Sequence, residues 1–220
     1  MTEKKKKVYD SDKSKEAILD AAEELFAEYG YSATRVDSIA NLSGYNKSLI
    51  YQYYKDKLGL YTSVIKRADQ SGNIVFNTLA HDLLTDKDVT SDKAKFQRLL
   101  EESIRISYKF LLEHPRYLRI FVWEAAEEWK VLKSISYSPD DISMYYTLAK
   151  KAKENGLIRQ NLDPMMFPVL MMNMVIPFIQ SYRRINDMVK DEAKWEISED
   201  EYINQIVKFV IHGIMEHPLV

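Results

Sequence analysis

Apolar residues recur at helical spacing along most of the chain, and Gly, Pro and capping residues divide the pattern into about nine helices. In the first, Ile18, Ala22, Leu25, Phe26 and Tyr29 share one face, Asp12 or Ser14 can cap the start, and Gly30 ends it. Two short helices follow. Thr34 reads as an N-cap with Asp37 three residues on, and Val36, Ile39 and Ala40 form the apolar stripe. Gly44 supplies the turn between them, since it takes positive φ without a Cβ penalty. Asn46 then caps a helix from Lys47 to Tyr53, with Ile50 and Tyr54 facing inward. From Lys57 a long helix runs through Leu60, Val64 and Ala68 toward Leu83, with Gly72 in its interior.

Beyond the polar loop Lys87 to Asp92, a helix from Lys93 to Glu113 buries Phe96, Leu99, Leu100, Ile104, Ser107 and Leu111. His114-Pro115 breaks it, because the residue before proline avoids the helical region. Arg116 to Lys133 is helical again, and Ser138-Pro139 opens a helix from Asp140 to Asn155 that Gly156 stops. Asp163-Pro164 is a further helix start. Met165 to Ile179 is almost wholly apolar but too short to span a bilayer. A helix apolar nearly all round needs cover on several sides, from a core or from another subunit. The last helix, Glu199 to Glu216, carries Ile203, Ile206, Val207, Val210, Ile211 and Ile214 in a wide stripe. The pattern predicts an all-α protein.

Composition agrees: 220 residues at 46% hydrophobic and 29% charged can bury a core in one or two domains. With no cysteine there are no disulfides or thiolate metal sites, and no apolar leader follows the basic run Lys4 to Lys7, which fits a cytoplasmic protein. That run is either a solvated tail or an arm adding non-specific DNA affinity. The net charge of −2 looks unsuited to DNA. It hides a local surplus, since from Thr34 to Arg67 six bases stand against two acids. In the same stretch, Lys47, Ser48, Leu49, Tyr51, Gln52 and Tyr53 spread over the outward circumference of one short helix. Hydroxyls, an amide and a cation with almost no acid suit a phosphate backbone and base edges. The reading is a helix-turn-helix whose second helix enters the major groove.

The registered set Ile18, Ala21-Ala22, Leu25-Phe26, Gly30-Tyr31, Thr34, Ile39-Ala40, Gly44, Lys47, Tyr51, Tyr54, Lys57 and Leu60 resembles the DNA-binding domain of the tetracycline-repressor (TetR) family. The resemblance covers about Lys15 to Val64, under a third of the chain. Two departures stand out: Ser43-Gly44-Tyr45 replaces the usual Ala-Gly-Val turn, and Leu58 replaces the acid that often follows the last lysine. They leave the fold intact and mainly blur which operator is read. The resemblance implies a DNA-binding domain over residues 1–60 and a helical effector-binding and dimerisation domain over 61–220. It implies phosphate contacts from Tyr51, Tyr53 and Lys57, and base contacts from Arg35, Lys47, Ser48 and Gln52. Leu49 could meet a thymine methyl, and Thr34 and Asn46 at the two helix starts complete the set. It further implies a homodimer through the last two helices and a small-molecule effector, hence a ligand-responsive regulator, most often a repressor, at a palindromic operator.

The second half carries no catalytic or cofactor-binding constellation in its sequence. His81, His114, His212 and His217 are scattered without metal-ligand spacing. Glu124, Glu127 and Glu128 lie at i, i+3 and i+4, as a carboxylate metal site would, but read as a charged outer face for want of a Glu-x-x-His partner. Trp123, Tyr145, Met171, Asn173, Met174 and Phe178 are candidates for an adaptable ligand pocket, with ordinary core packing as the competing reading. Pro177 should kink its helix and open space beside Phe178 and Asn173. Two other classes compete with a ligand-responsive regulator. One is an architectural or division-linked DNA binder of the same fold without effector, and the other is an α-helical enzyme using the helix of Trp123 and Glu124.

Overall fold

The computed structural model describes residues 11–134, 139–188 and 198–219, and within them the side chains outside 72–84, 139–144, 168, 171–174, 183, 186 and 199. The run Lys4 to Lys7 lies outside the described residues. Among those described are nine α-helices: α1 (Ser11–Ala33), α2 (Val36–Ser43), α3 (Lys47–Tyr54), α4 (Lys57–Thr85), α5 (Lys93–Glu113), α6 (Pro115–Ala126), α7 (Pro139–Glu154), α8 (Met166–Met188) and α9 (Glu199–Ile214). A short 3-10 turn, Leu132–Ser134, follows α6. The fold is all-α with an N-terminal helix-turn-helix.

Two compact units form, Met1–Ser71 with His114–Ser136, and Gly72–Glu113 with Tyr137–Val220. Helix α4 contributes to both, so the division expected after residue 60 falls inside it, and α6 packs with α1 in the first unit.

In the first unit, Ile18, Ala22 and Phe26 of α1 meet Val36, Ile39, Ile50, Leu60, Tyr61 and Val64 in one core. The Tyr61 ring stands edge-on to Phe26 at 4.8 Å and to Tyr31 at 5.0 Å. Tyr29 departs from expectation: it shares the phase of Ile18, yet the last turn of α1 leaves it half open to solvent. Gly30 carries the bend there at φ 73°, and a Cβ on it would lie 3.0 Å from the Trp123 ring. Glycine therefore admits both the backbone turn and the close approach of α6. Trp123 Nε1 also donates to the Ala27 carbonyl at 3.2 Å.

Helix α6 ends at Ala126 and does not continue to Lys133 as its pattern suggests. The reason is Glu124, which is buried among the core residues and not on a solvated face with Glu127 and Glu128. Its carboxyl oxygens accept from Tyr61 Oη at 2.7 Å and from the Leu132 N–H at 2.9 Å. The chain must fold back to bring that N–H to Glu124, and Glu128 and Trp129 take positive φ to do so. Glu127 is half-buried and accepts from Ser32 Oγ at 3.0 Å, while Glu128 is exposed.

In the second unit, α5 packs on α8 and α9, and α8 also contacts α7. Phe96, Leu99, Leu100 and Ile104 of α5 and Ile203, Ile206, Val207 and Val210 of α9 are buried. Helix α8 extends nine residues past its expected end at Ile179 and runs through Pro177 without interruption. Asp163 starts it by accepting the Met165 N–H on its side chain at 2.8 Å. Helix α9 begins under the Ser198 cap and stops at Ile214, two residues early. The following backbone pairs with the turn after α7 instead: Arg159 N–H bonds Ile214 O at 3.0 Å and Glu216 N–H bonds Leu157 O at 3.1 Å.

Removing the Glu124 carboxyl would take away the hydrogen bonds it accepts from the Tyr61 hydroxyl and the Leu132 N–H. Glu124→Ala is expected to lower unfolding free energy by about 1–3 kcal/mol in denaturant titration, and Glu124→Gln, which keeps a carbonyl, by less.

Candidate nucleic-acid interface

The short helices α2 and α3 are set by their ends and by two fully buried isoleucines. Ile39 and Ile50 reach the first-unit core, and Gly44 turns the chain between the helices at φ 74°. Arg35 is the N-cap residue of α2, and its carbonyl accepts from Ser38 and Ile39 at 3.0 and 3.2 Å. Thr34, expected to cap, faces the other way: it is buried, and its hydroxyl lies 2.7 Å from Gly30 O and 3.0 Å from Leu25 O. It fixes the loop and leaves α2 without a side-chain cap. Asn46 does cap α3, accepting the Leu49 N–H at 2.8 Å. Lys55 closes α3 at φ 70° with its N–H on Tyr51 O, and Asp56 starts α4 by accepting the Gly59 N–H at 2.7 Å.

These constraints turn one side of α3 outward. Arg35, Ser48 and Gln52 are exposed, and Tyr51 is partly so. Leu49 is half-buried and leans on the core, so only part of it remains for any outside contact. The Lys47 ammonium lies 3.0 and 3.1 Å from the two carboxylate oxygens of Asp37 and 5.9 Å from the Tyr51 ring centre. The hydrogen bond to Asp37 raises the pKa of Lys47, against an opposing effect of desolvation. Tyr53 shares a hydrogen bond at 3.0 Å with the fully buried Ser14 hydroxyl, and Lys15 Nζ sits 5.4 Å over its ring. The Ser14 bond lowers the Tyr53 pKa. Tyr54 donates to the Lys15 carbonyl at 3.1 Å, and its burial pushes the phenol up to about 12.

Lys57 is held rather than loose. Its ammonium donates to Ser32 O at 3.3 Å and lies 4.4 Å over the Tyr31 ring, and burial lowers its pKa while Glu127 opposes that. Arg67 does not add to the basic surface, because Glu16, Asp20 and Glu23 of α1 all pair with it. The positive side is thus the one carrying Arg35, Lys47, Lys55 and Lys57.

The proposed pocket residues are divided between the two units. Trp123 belongs to the first unit, packed on Gly30, whereas Tyr145 and Phe178 belong to the second. Met171, Asn173 and Met174 lie outside the residues whose side chains are described. Beside Phe178 there is ring packing where Pro177 was expected to open space: Tyr182 and Tyr202 each lie 5.9 Å from it and 4.1 Å from each other, with their hydroxyls bonded. That bond and burial raise Tyr202 to about 12, burial being the larger cause.

Residues 18–64 match the model of the bacterial regulatory proteins, tetR family. The chain's N-terminal region belongs to the tetR family. Members of the family are transcriptional regulators, mostly repressors. The chain is 26% identical over 114 residues to the transcriptional repressor NicS of Pseudomonas putida, covering 52% of this chain and 49% of that protein. It is 31% identical over 118 residues to the transcriptional repressor SCO4008 of Streptomyces coelicolor, covering 54% and 53%. The chain spans about half the length of these curated relatives. The structure of SCO4942 from Streptomyces coelicolor superimposes with a TM-score of 0.64 at 20% identity, over 91% of this chain and 98% of that one. That likeness shows a shared fold over most of the chain.

The partners of Asp37, Ser14 and Glu124 are not visible in the linear pattern, because each lies distant in the chain. Their signal was weak: an acid beside a lone cation, a serine one turn into α1, an acid in an apolar helix.

Loss of the α3 cap is expected to be felt directly. Asn46→Ala should lower stability by about 1 kcal/mol in thermal or denaturant unfolding, with the loss confined to the first unit in amide exchange.

Proposed function

We propose that the protein is a homodimeric, ligand-responsive transcriptional repressor that reads a palindromic operator with α3. The observation that carries this reading is the outward side of α3. Ser48, Gln52 and Tyr51 project from a helix fixed by Ile50 and the Asn46 cap, flanked by the cations Arg35, Lys47, Lys55 and Lys57. Phosphate contacts fall to Tyr51, Tyr53 and Lys57. Tyr53 and Lys57 have their polar ends oriented by Ser14 and Ser32, so little entropy is lost in docking them. Base edges fall to Arg35, Lys47, Ser48 and Gln52, where Arg or Lys suits guanine and Gln suits adenine.

Dimerisation draws on α8 and α9. Exposed Met166, Val169, Ile185 and Met188 on α8 and Phe209 on α9 are costly in water and suit a second copy. Around Phe209, Gln205, Lys208, His212 and Gly213 line an open groove on α9. Two copies of α3 must meet successive major grooves, about 34–36 Å apart. An effector binding the second unit, which holds the Met- and aromatic-rich α8, would act by preferring a dimer with another spacing. It would weaken operator binding by its differential affinity alone, and operator would weaken effector binding equally. An effector-independent binder of the same fold is the second reading, and the filled ring cluster at Phe178 favours it.

Selection of duplexes from a random pool tests the core of this reading, with an enriched inverted repeat expected and an unenriched pool contradicting it. On the selected duplex, Gln52→Ala should cost about 1–3 kcal/mol and relax preference at one position per half-site. Lys57→Ala should weaken all sequences alike and reduce the salt slope by about one. Phe209→Glu should convert a dimer to a monomer in sedimentation; an unchanged mass would place the dimer face elsewhere.

A further inference from the structure

The reading above gives Lys47 a base contact but no part to its partner Asp37. Asp37 lies in the first turn of α2 and Lys47 opens α3, so the pair bridges the starts of the two short helices. Both carboxylate oxygens are within 3.1 Å of the ammonium, and Arg35 lies close enough to depress the Lys47 pKa slightly against the larger effect of Asp37. Side-chain exposure is 43% for Lys47 and 59% for Asp37, so the pair faces solvent. An exposed ion pair adds little to folding. Its consequence is for what else Lys47 can touch. While Asp37 holds it, the cation is neutralised, and the carboxylate presents a negative charge to any phosphate approaching the start of α3.

We propose that Asp37 is a specificity-determining residue that acts through Lys47, withholding that cation from DNA unless a base edge replaces the carboxylate. The inference rests on the DNA-reading function proposed above. A replacement must offer two acceptors close together without a charge of its own, as guanine O6 and N7 do. Phosphate offers oxygens too, but it brings negative charge against Asp37. Random duplex therefore leaves Lys47 on Asp37, and a duplex with the matching base releases it. The residue raises discrimination by weakening the wrong complexes.

Binding of the full chain is measured against a selected duplex and a random-sequence duplex of equal length, across a salt series. Asp37→Asn should bind random duplex about two- to five-fold tighter, with a salt slope steeper by about one. Affinity for the selected duplex should change less, so the ratio between the two falls. In a Lys47→Met background the gain on random duplex should vanish. Thermal unfolding checks that α2 survives, and Asp37→Ser gives a second neutral residue able to serve the first turn of α2. Unchanged random-duplex affinity and slope would overturn the proposal. So would an equal gain in the Lys47→Met background, which marks a bare field effect, or a loss confined to the selected duplex, which marks direct base reading by Asp37. A wild-type chain that binds selected and random duplexes alike contradicts the DNA-reading function itself, and this inference with it.

Discussion

An eight-residue helix cannot hold its shape in water, because nucleation consumes more entropy than two turns of hydrogen bonds return. Helix α3 exists because Ile50 is drawn into the first-unit core, Asn46 closes its start, and Gly44 permits the turn that aims it. The rest of that unit serves this constraint. Ile39 and Val36 seat α2 under it, Ser14 and Lys15 of α1 hold Tyr53 and Tyr54 at its end, and Ser32 and Tyr31 hold Lys57 beyond it.

Electrostatics follow the same division of labour. Arg67 is tied to three acids of α1, and Arg116 pairs with Glu24 of the same helix. Four acids of α1, Glu16, Asp20, Glu23 and Glu24, are thus matched by arginines. Arg35, Lys47, Lys55 and Lys57 lie on or beside the two short helices, Lys47 paired there with Asp37. A net charge near zero and a DNA-facing surface coexist because charge is sorted by position, and only local potential acts on phosphate at physiological salt.

Much of this was legible in the residues. Helix order, the Gly44 turn, the Asn46 cap, the inward Ile39 and Ile50, and the break at His114-Pro115 all rest on local chemistry that a linear reading captures. What escaped depended on contacts distant in the chain. Thr34 has the residue type of a cap but spends its hydroxyl on Gly30 and Leu25. Glu124 has the look of a solvated acid, yet Tyr61, 63 residues away, meets it in the core and α6 ends early for its sake. Helix α9 stops at Ile214 because the chain beyond it pairs with residues 157–159. Trp123, a plausible pocket aromatic, is instead the side chain that rests on Gly30.

The central claim is that α2 and α3 form the surface that meets DNA, positioned by the first-unit core. Amide hydrogen exchange of the full chain, with and without a selected duplex, tests it most directly. Slowed exchange concentrated in residues 34–57 is expected on adding duplex. Slowing confined to α8 and α9, with residues 34–57 unchanged in a saturated complex, would contradict it.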